Sequence, residues 1–171
     1  STIIVRNQLD TLGRLTKDKI IINDKEITTE YKYDKTRVSL QTLHTGSTIS
    51  YTYDSMNNIT SKSVVENDAT STVRFTYDKL GRLVKEIYPS GKKEEFTYYQ
   101  NGNIKYRTIT ETSGIVTKEE YIYDSIIKDK LIQIKNVDTN EIIQEISYYS
   151  NDLFKPSSMT IEGQNKTLLW Q

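Results

Sequence analysis

Cysteine is absent from all 171 residues, and histidine occurs once, at His44. The first absence excludes a disulfide framework and any thiolate metal site, though it does not fix a compartment. The two together exclude zinc centres built from histidine and cysteine. A Ser-His-Asp arrangement would have to use His44, but "TLHTGS" reads as a strand end before a hairpin turn. No apolar run approaches the ~18 residues of a membrane span, and no signal peptide opens the chain. Charge of one sign is also missing: 23 Lys and Arg cancel 23 Asp and Glu without blocks. With no phosphate-binding glycine loop either, nothing points to nucleic acid, an acidic membrane or a cofactor.

Tyrosine is plentiful. Thirteen tyrosines stand against three phenylalanines and one tryptophan, in a chain that is 35% hydrophobic with a mean hydropathy of −0.63. With the threonine, isoleucine and valine, this bias favours pleated sheet over disorder. "TISYTYD", "STVRFTYD" and "EEFTYY" alternate bulky with small or polar residues, as half-buried strands do.

The same phrase also recurs: "LDTLGRLT", "YTYDSMNNIT", "FTYDKLGRLVKE" and "FTYYQNGNIK". Aligned on the last bulky residue, the copies fall at Leu9, Tyr33, Tyr53, Tyr77, Tyr98, Tyr123 and Tyr148, at intervals of 20 to 25 residues. Such a period signals a repeat architecture and holds two strands with two turns. Residues 1–171 are therefore read as one repeat array, a piece of something longer. About 13 or 14 strands are expected, in one continuous antiparallel meander that its own twist must curve.

Local chemistry explains the motif. In Asp78-Lys79-Leu80-Gly81 the aspartate suits the first position of a type I turn, and Gly81 the left-handed position that makes a G1 bulge. Asp10 with Gly13 and Asp54 with Asn57 repeat that choice, and Gly102 holds the glycine place in "YQNG". The register then sets Asp10 opposite Arg14, Asp54 opposite Asn58 and Asp78 opposite Arg82. On the other face it sets Leu9 opposite Leu15, Tyr53 opposite Ile59, Tyr77 opposite Leu83 and Tyr98 opposite Ile104. "YKYDKTRV" is one residue short of this pattern, "YIYDSIIKDKL" about two longer, and "SYYSNDLF" altered. The second turn of each unit ("HTGS", "YPSGKK", "ETSG", "VDTNE", "EGQN") is expected to be an ordinary, variable polar loop.

"YTYDSMNN", "FTYDKLGRL" and "YIYD" closely resemble the Tyr-Asp-x-x-Gly-Arg-Leu unit of the RHS/YD-repeat family, from about Leu9 to about Phe154. That family includes bacterial polymorphic toxins, the BC components of insecticidal Tc toxins, Gram-positive wall-associated proteins and animal teneurins. The resemblance implies an all-β sheet that spirals into a hollow shell, enclosing a C-terminal toxic domain in the bacterial members. It also implies a secreted, cell-surface or wall-associated location. The Asp-Pro-rich segment that closes such shells is not found here, and the Lys-, Ile- and Asn-rich composition suggests a low-GC Gram-positive source.

The function expected is structural and non-catalytic: a wall segment partnered by further repeats, a core domain and a toxin cargo of the same polypeptide. The alternative is an adhesion module stacking Tyr51, Tyr53, Phe75, Tyr77, Phe96 and Tyr98 on glycan or wall polymer. Unpaired sheet edges are expected to self-associate by strand addition. Glu94-Glu95 and Glu119-Glu120 read as solvated strand charge, since neighbours on a strand point to opposite faces. Asp10, Asp34, Asp54, Asp78 and Asp124 read as turn caps, with calcium as the lesser alternative.

Overall fold

The computed structural model describes residues 3–150, 152–161 and 164–167. Fifteen strands form one antiparallel sheet in which every strand neighbours its predecessor and successor in the chain. They are β1 (Ile3–Leu9), β2 (Leu15–Ile22), β3 (Lys25–Asp34), β4 (Arg37–Thr42), β5 (Thr48–Tyr53), β6 (Ile59–Glu66), β7 (Ala69–Tyr77) and β8 (Leu83–Ile87). After them come β9 (Lys93–Tyr98), β10 (Ile104–Thr110), β11 (Val116–Tyr123), β12 (Leu131–Asn136), β13 (Ile142–Tyr149), β14 (Asp152–Ile161) and β15 (Gln164–Thr167). The expected count fell one or two short because seven copies at two strands each give at most fourteen, and β15 follows the last copy.

The β2/β3 and β6/β7 turns both close in two residues. Ile22 pairs with Lys25, and Glu66 with Ala69. The central residues Asn23, Asp24, Asn67 and Asp68 all have φ between 48° and 62°, the type I′ geometry that suits strand twist. Asn and Asp occupy it because their short polar side chains tolerate the left-handed region.

Two of the expected ordinary loops, "HTGS" and "ETSG", share the joint of the motif turns, while "VDTNE" closes as a longer loop from Asn136 to Glu141. At Asp10, Asp54 and Asp78 the first residue's N–H bonds the carbonyl four places on, and the fourth residue's N–H bonds back to the first carbonyl. Leu43–Ser47, Tyr99–Asn103 and Glu111–Ile115 make the same two bonds, with Gly46, Gly102 and Gly114 left-handed. This backbone joint thus occurs at both ends of hairpins, and where it does the side chains that dress it differ. The shortened "YKYDKTRV" closes in two residues with Lys35 at φ 56°. The lengthened copy still pairs Tyr123 with Leu131, across a larger loop. The "EGQN" turn and part of "SYYSNDLF" lie outside the described residues.

The contacts divide the chain into two compact units, Ser1–Arg82 with Ile87–Pro89, and Leu83–Glu86 with Ser90–Gln171. Ile134, 8% exposed, is the one buried hydrophobic residue among the described residues, and none is fully buried. Most bulky residues are half-buried, including Tyr51, Tyr53, Phe75, Tyr77, Phe96 and Tyr98, while Thr52, Thr76 and Thr97 between them are exposed. A single sheet has no second layer to complete its core, so its side chains must cover one another.

Candidate functional site

The repeated joint is a capped one. Asp10 Oδ1 accepts from the N–H groups of Leu12 and Arg14, both at 2.9 Å, and its Oδ2 accepts from Arg14 Nε at 2.6 Å. Asp78 does the same with Leu80 N (2.9 Å), Arg82 N (3.0 Å) and Arg82 Nε (2.7 Å). Asp54 holds Met56 N and Asn58 N at 2.9 Å, with Asn58 Nδ2 at 3.0 Å in the arginine's place. These bonds lower each carboxyl below its ordinary range against a smaller opposing desolvation. The leading partners are Arg14 N for Asp10, the Asn58 side chain for Asp54 and Arg82 N for Asp78. In the long loop Asp124 bonds Ile126 N and Ile127 N, and its carboxyl is lowered as well. The aspartates are thus committed to their own turns, and no cluster able to hold a metal ion occurs among the described residues.

The residue after the glycine position also reaches sideways. Arg14 Nη1 donates to the Lys35 carbonyl of the next joint. Arg37 Nη1 donates to the Asp54 carbonyl at 3.3 Å and to Asn57 Oδ1 at 2.8 Å. In the second unit Asn103 Nδ2 donates to the Lys128 carbonyl at 2.8 Å. Successive joints are laced together along the rim.

Tyrosine supplies the second tie. The Tyr33 hydroxyl donates to the Leu15 carbonyl at 2.7 Å, Tyr53 to Val38 at 2.7 Å, Tyr148 to Leu131 at 2.6 Å, and Tyr98 to Leu83. Leu15 and Leu131 are each the first residue paired after a joint, and Val38 is the second, after Arg37. The ladder to the following hairpin starts two residues further in, at Lys17, Leu40 and Gln133. A backbone carbonyl beyond the ladder needs another donor, and the tyrosine of the next unit provides it. A cation covers the same ring: Arg14 over Tyr33 and Arg37 over Tyr53 at 4.6 Å from the centroid, Lys130 over Tyr148 at 4.5 Å. Tyr53 and Tyr98, two of the rings expected to stack on sugars, thus spend their hydroxyls on the sheet.

A charged seam crosses β9, β10 and β11 and corrects the reading of Glu94 and Glu119 as solvated. They are 5% and 8% exposed. Arg107 Nε and Nη2 donate to Glu94 Oε2 at 2.9 and 2.8 Å, and Nη1 to Glu119 Oε2 at 3.4 Å. Arg107 lies directly opposite Glu119 in the register and diagonal to Glu94. Burial works against its charge, but the bonds and charge of Glu94, with Glu119, hold its pKa above the ordinary value. Burial and Glu119 likewise push the Tyr121 hydroxyl up. Strand alternation puts Glu95 on the other face, where Lys85 meets it at 3.2 Å.

One cleft, of about 790 Å³, interrupts the pattern within the second unit; it is lined by Tyr99, Gln100, Asn101, Glu120, Ile122, Tyr123, Asp124 and Lys128. The tyrosine rule would send the Tyr123 hydroxyl to the Ile104 carbonyl, since Ile104 pairs with Tyr98 and the β10–β11 ladder starts at Tyr106. That bond is absent. The Tyr123 ring meets Tyr99 edge to face, with centroids 6.1 Å apart. Burial raises the Tyr123 pKa, with nearby Tyr121, Tyr99 and Asp129 adding to it.

Residues 62–93 match the family described as RHS Repeat. That match takes in β7, β8 and the Asp78 joint between them. The fold of the chain is similar to a crystal structure of TcdB2-TccC3 with Cdc42, at TM-score 0.71 and 16% identity, over 89% of this chain and 9% of that one. A Photorhabdus luminescens Tc holotoxin pore carrying a TccC3 mutation is similar at TM-score 0.74 and 16% identity, over 93% and 9%. The chain therefore spans about a tenth of the length of the structures it resembles. No curated protein sequence matches it.

His44 lies exposed in its turn. Sequence reasoning missed the hydroxyl ties because their targets lie 15 to 18 residues away and no short motif joins the two ends. Arg107 was missed too, although a cation between two glutamates of the same strand parity is a readable signal.

Proposed function

We propose that this chain is a non-catalytic RHS-repeat wall segment that helps enclose and sequester a polypeptide attached to the same protein. The ties between successive hairpins, by the hydroxyls of Tyr33, Tyr53, Tyr98 and Tyr148 and by Arg14 and Arg37, carry the reading. Such a device makes a continuous panel from copies and gathers no residues around a reacting atom. The Tc-toxin fold supports a container in particular, and with it a secreted protein whose partners are further repeats, a core domain and a toxin cargo. The whole of residues 1–171 acts as one array in this reading, and the Asp-Gly joints serve as its corners.

The test is protease protection in the full-length protein. The segment following the repeats should resist protease while the wall is intact. It should become cleavable when Tyr33→Phe and Tyr53→Phe are combined, at protease levels that leave the wild type whole. Equal cleavage of that segment in both proteins overturns the container role.

A further inference from the structure

We propose that the cleft between Tyr99 and Tyr123 is a binding site for a neutral saccharide. The evidence begins with the interruption itself. Tyr33, Tyr53, Tyr98 and Tyr148 each give their hydroxyl to a carbonyl of the preceding hairpin. Tyr123 stands at the equivalent register, yet its hydroxyl meets no protein acceptor among the described residues. The joint beside it is also unlike the capped ones: Tyr99 takes the place that aspartate holds at Asp10, Asp54 and Asp78. It is 36% exposed. The following loop, Asp124 to Lys130, is two residues longer, and Asn101 and Asn103 hold it through Asp129 at 3.3 and 3.1 Å. These changes together open the cleft.

The lining selects the ligand. Two tyrosine rings and Ile122 offer apolar surface for the C–H face of a sugar ring. Gln100, Glu120 and Lys128 supply donors and acceptors for hydroxyl groups beside that apolar floor, in a cleft within the ~300–1,000 Å³ of small-molecule sites. Gln100 has no protein partner among the described residues, and Glu120 has only a 3.5 Å contact from the Tyr106 hydroxyl. Charge argues for a neutral ligand. Lys128 lines the cleft and the Lys105 ammonium lies 5.5 Å from the Tyr99 centroid, which opposes a second cation. Glu120 and Asp124 oppose an anion. The inference goes beyond the wall function and does not depend on it.

Titration of the isotope-labelled chain with cellotetraose and with chitotetraose, followed by amide shifts, tests it. Saturable shifts confined to 99–101, 120–124 and 128 are expected with at least one of the two sugars. Tyr99→Ala and Gln100→Ala, both at exposed positions, should each raise Kd by about tenfold or more, while Tyr51→Ala leaves it unchanged. The proposal is overturned by no saturable shift with either sugar up to about 20 mM. It is equally overturned by shifts that follow the Tyr51–Tyr53 row, or by a stronger response at the same amides to tetramethylammonium.

Discussion

At Gly81 the backbone sits at φ 77°, and an added Cβ would meet nothing closer than the Asn58 side chain, at 3.8 Å. Space is available there; the strain is conformational. Gly81→Ala should therefore cost about 1–2 kcal/mol in urea unfolding. Gly81→Asn should cost less, because asparagine already holds the equivalent place at Asn57, φ 71°. The aspartates make a second prediction. Asp10, Asp54, Asp78 and Asp124 have folded pKa values below the ordinary one, so their contribution to stability is complete above that ordinary value. It is lost as pH falls through the folded values. Urea midpoints should hold steady from about pH 7 to 5 and drop below about pH 4. Combining Asp10→Asn, Asp54→Asn and Asp78→Asn should flatten that drop, and an unchanged acid limb would refute the assignment. These joints were legible in the sequence because every bond in them spans four residues or fewer. Asn23-Asp24 and Asn67-Asp68 were equally local and were overlooked for want of a glycine.

Between strands, the decisive interactions are the hydroxyl ties and the charged seam. Tyr53→Phe keeps the ring under Arg37 and removes one hydrogen bond, leaving the Val38 carbonyl without that donor. A loss of about 0.5–1.5 kcal/mol is expected in chemical unfolding. Arg107→Ala should cost more, a few kcal/mol, because it strands Glu94 and Glu119 in a buried place; the guanidinium's 28% exposure keeps the loss towards the low end. Replacing all three as Arg107→Met, Glu94→Leu and Glu119→Leu should recover most of that loss. Failure to recover would show that the seam itself, and not the stranded charge, carries stability. Strand pairing was legible from alternation, since a turn of known length fixes which residues face. The ties were not, because each depends on where a ladder to a third strand begins. The cleft escaped notice for a related reason: its tyrosine is one that fails to do what its counterparts do.

Across the whole chain, apolar side chains among the described residues stand exposed at several places, β1 and the capped joints among them. On β1, Ile3, Val5 and Leu9 alternate on one side and are 60–63% exposed, and among the described residues this strand pairs with β2 alone. Sedimentation should show concentration-dependent association that Val5→Lys abolishes; a wild-type monomer at every concentration would refute strand addition. Leu12, Met56 and Leu80 also stand out, two residues after each capping aspartate, with exposures of 75%, 56% and 76%. The same backbone corner carries Thr45 or Ser113 at that place elsewhere.

Each tyrosine tie points backward along the chain, to a carbonyl already made 15 to 18 residues before. A polypeptide emerging from the ribosome, or threading outward amino end first, thus brings every new fastener to a surface that is waiting for it. Growth resembles knitting, in which a new row hooks the last, and the forward reach of Arg14, Arg37 and Asn103 then draws the stitch closed.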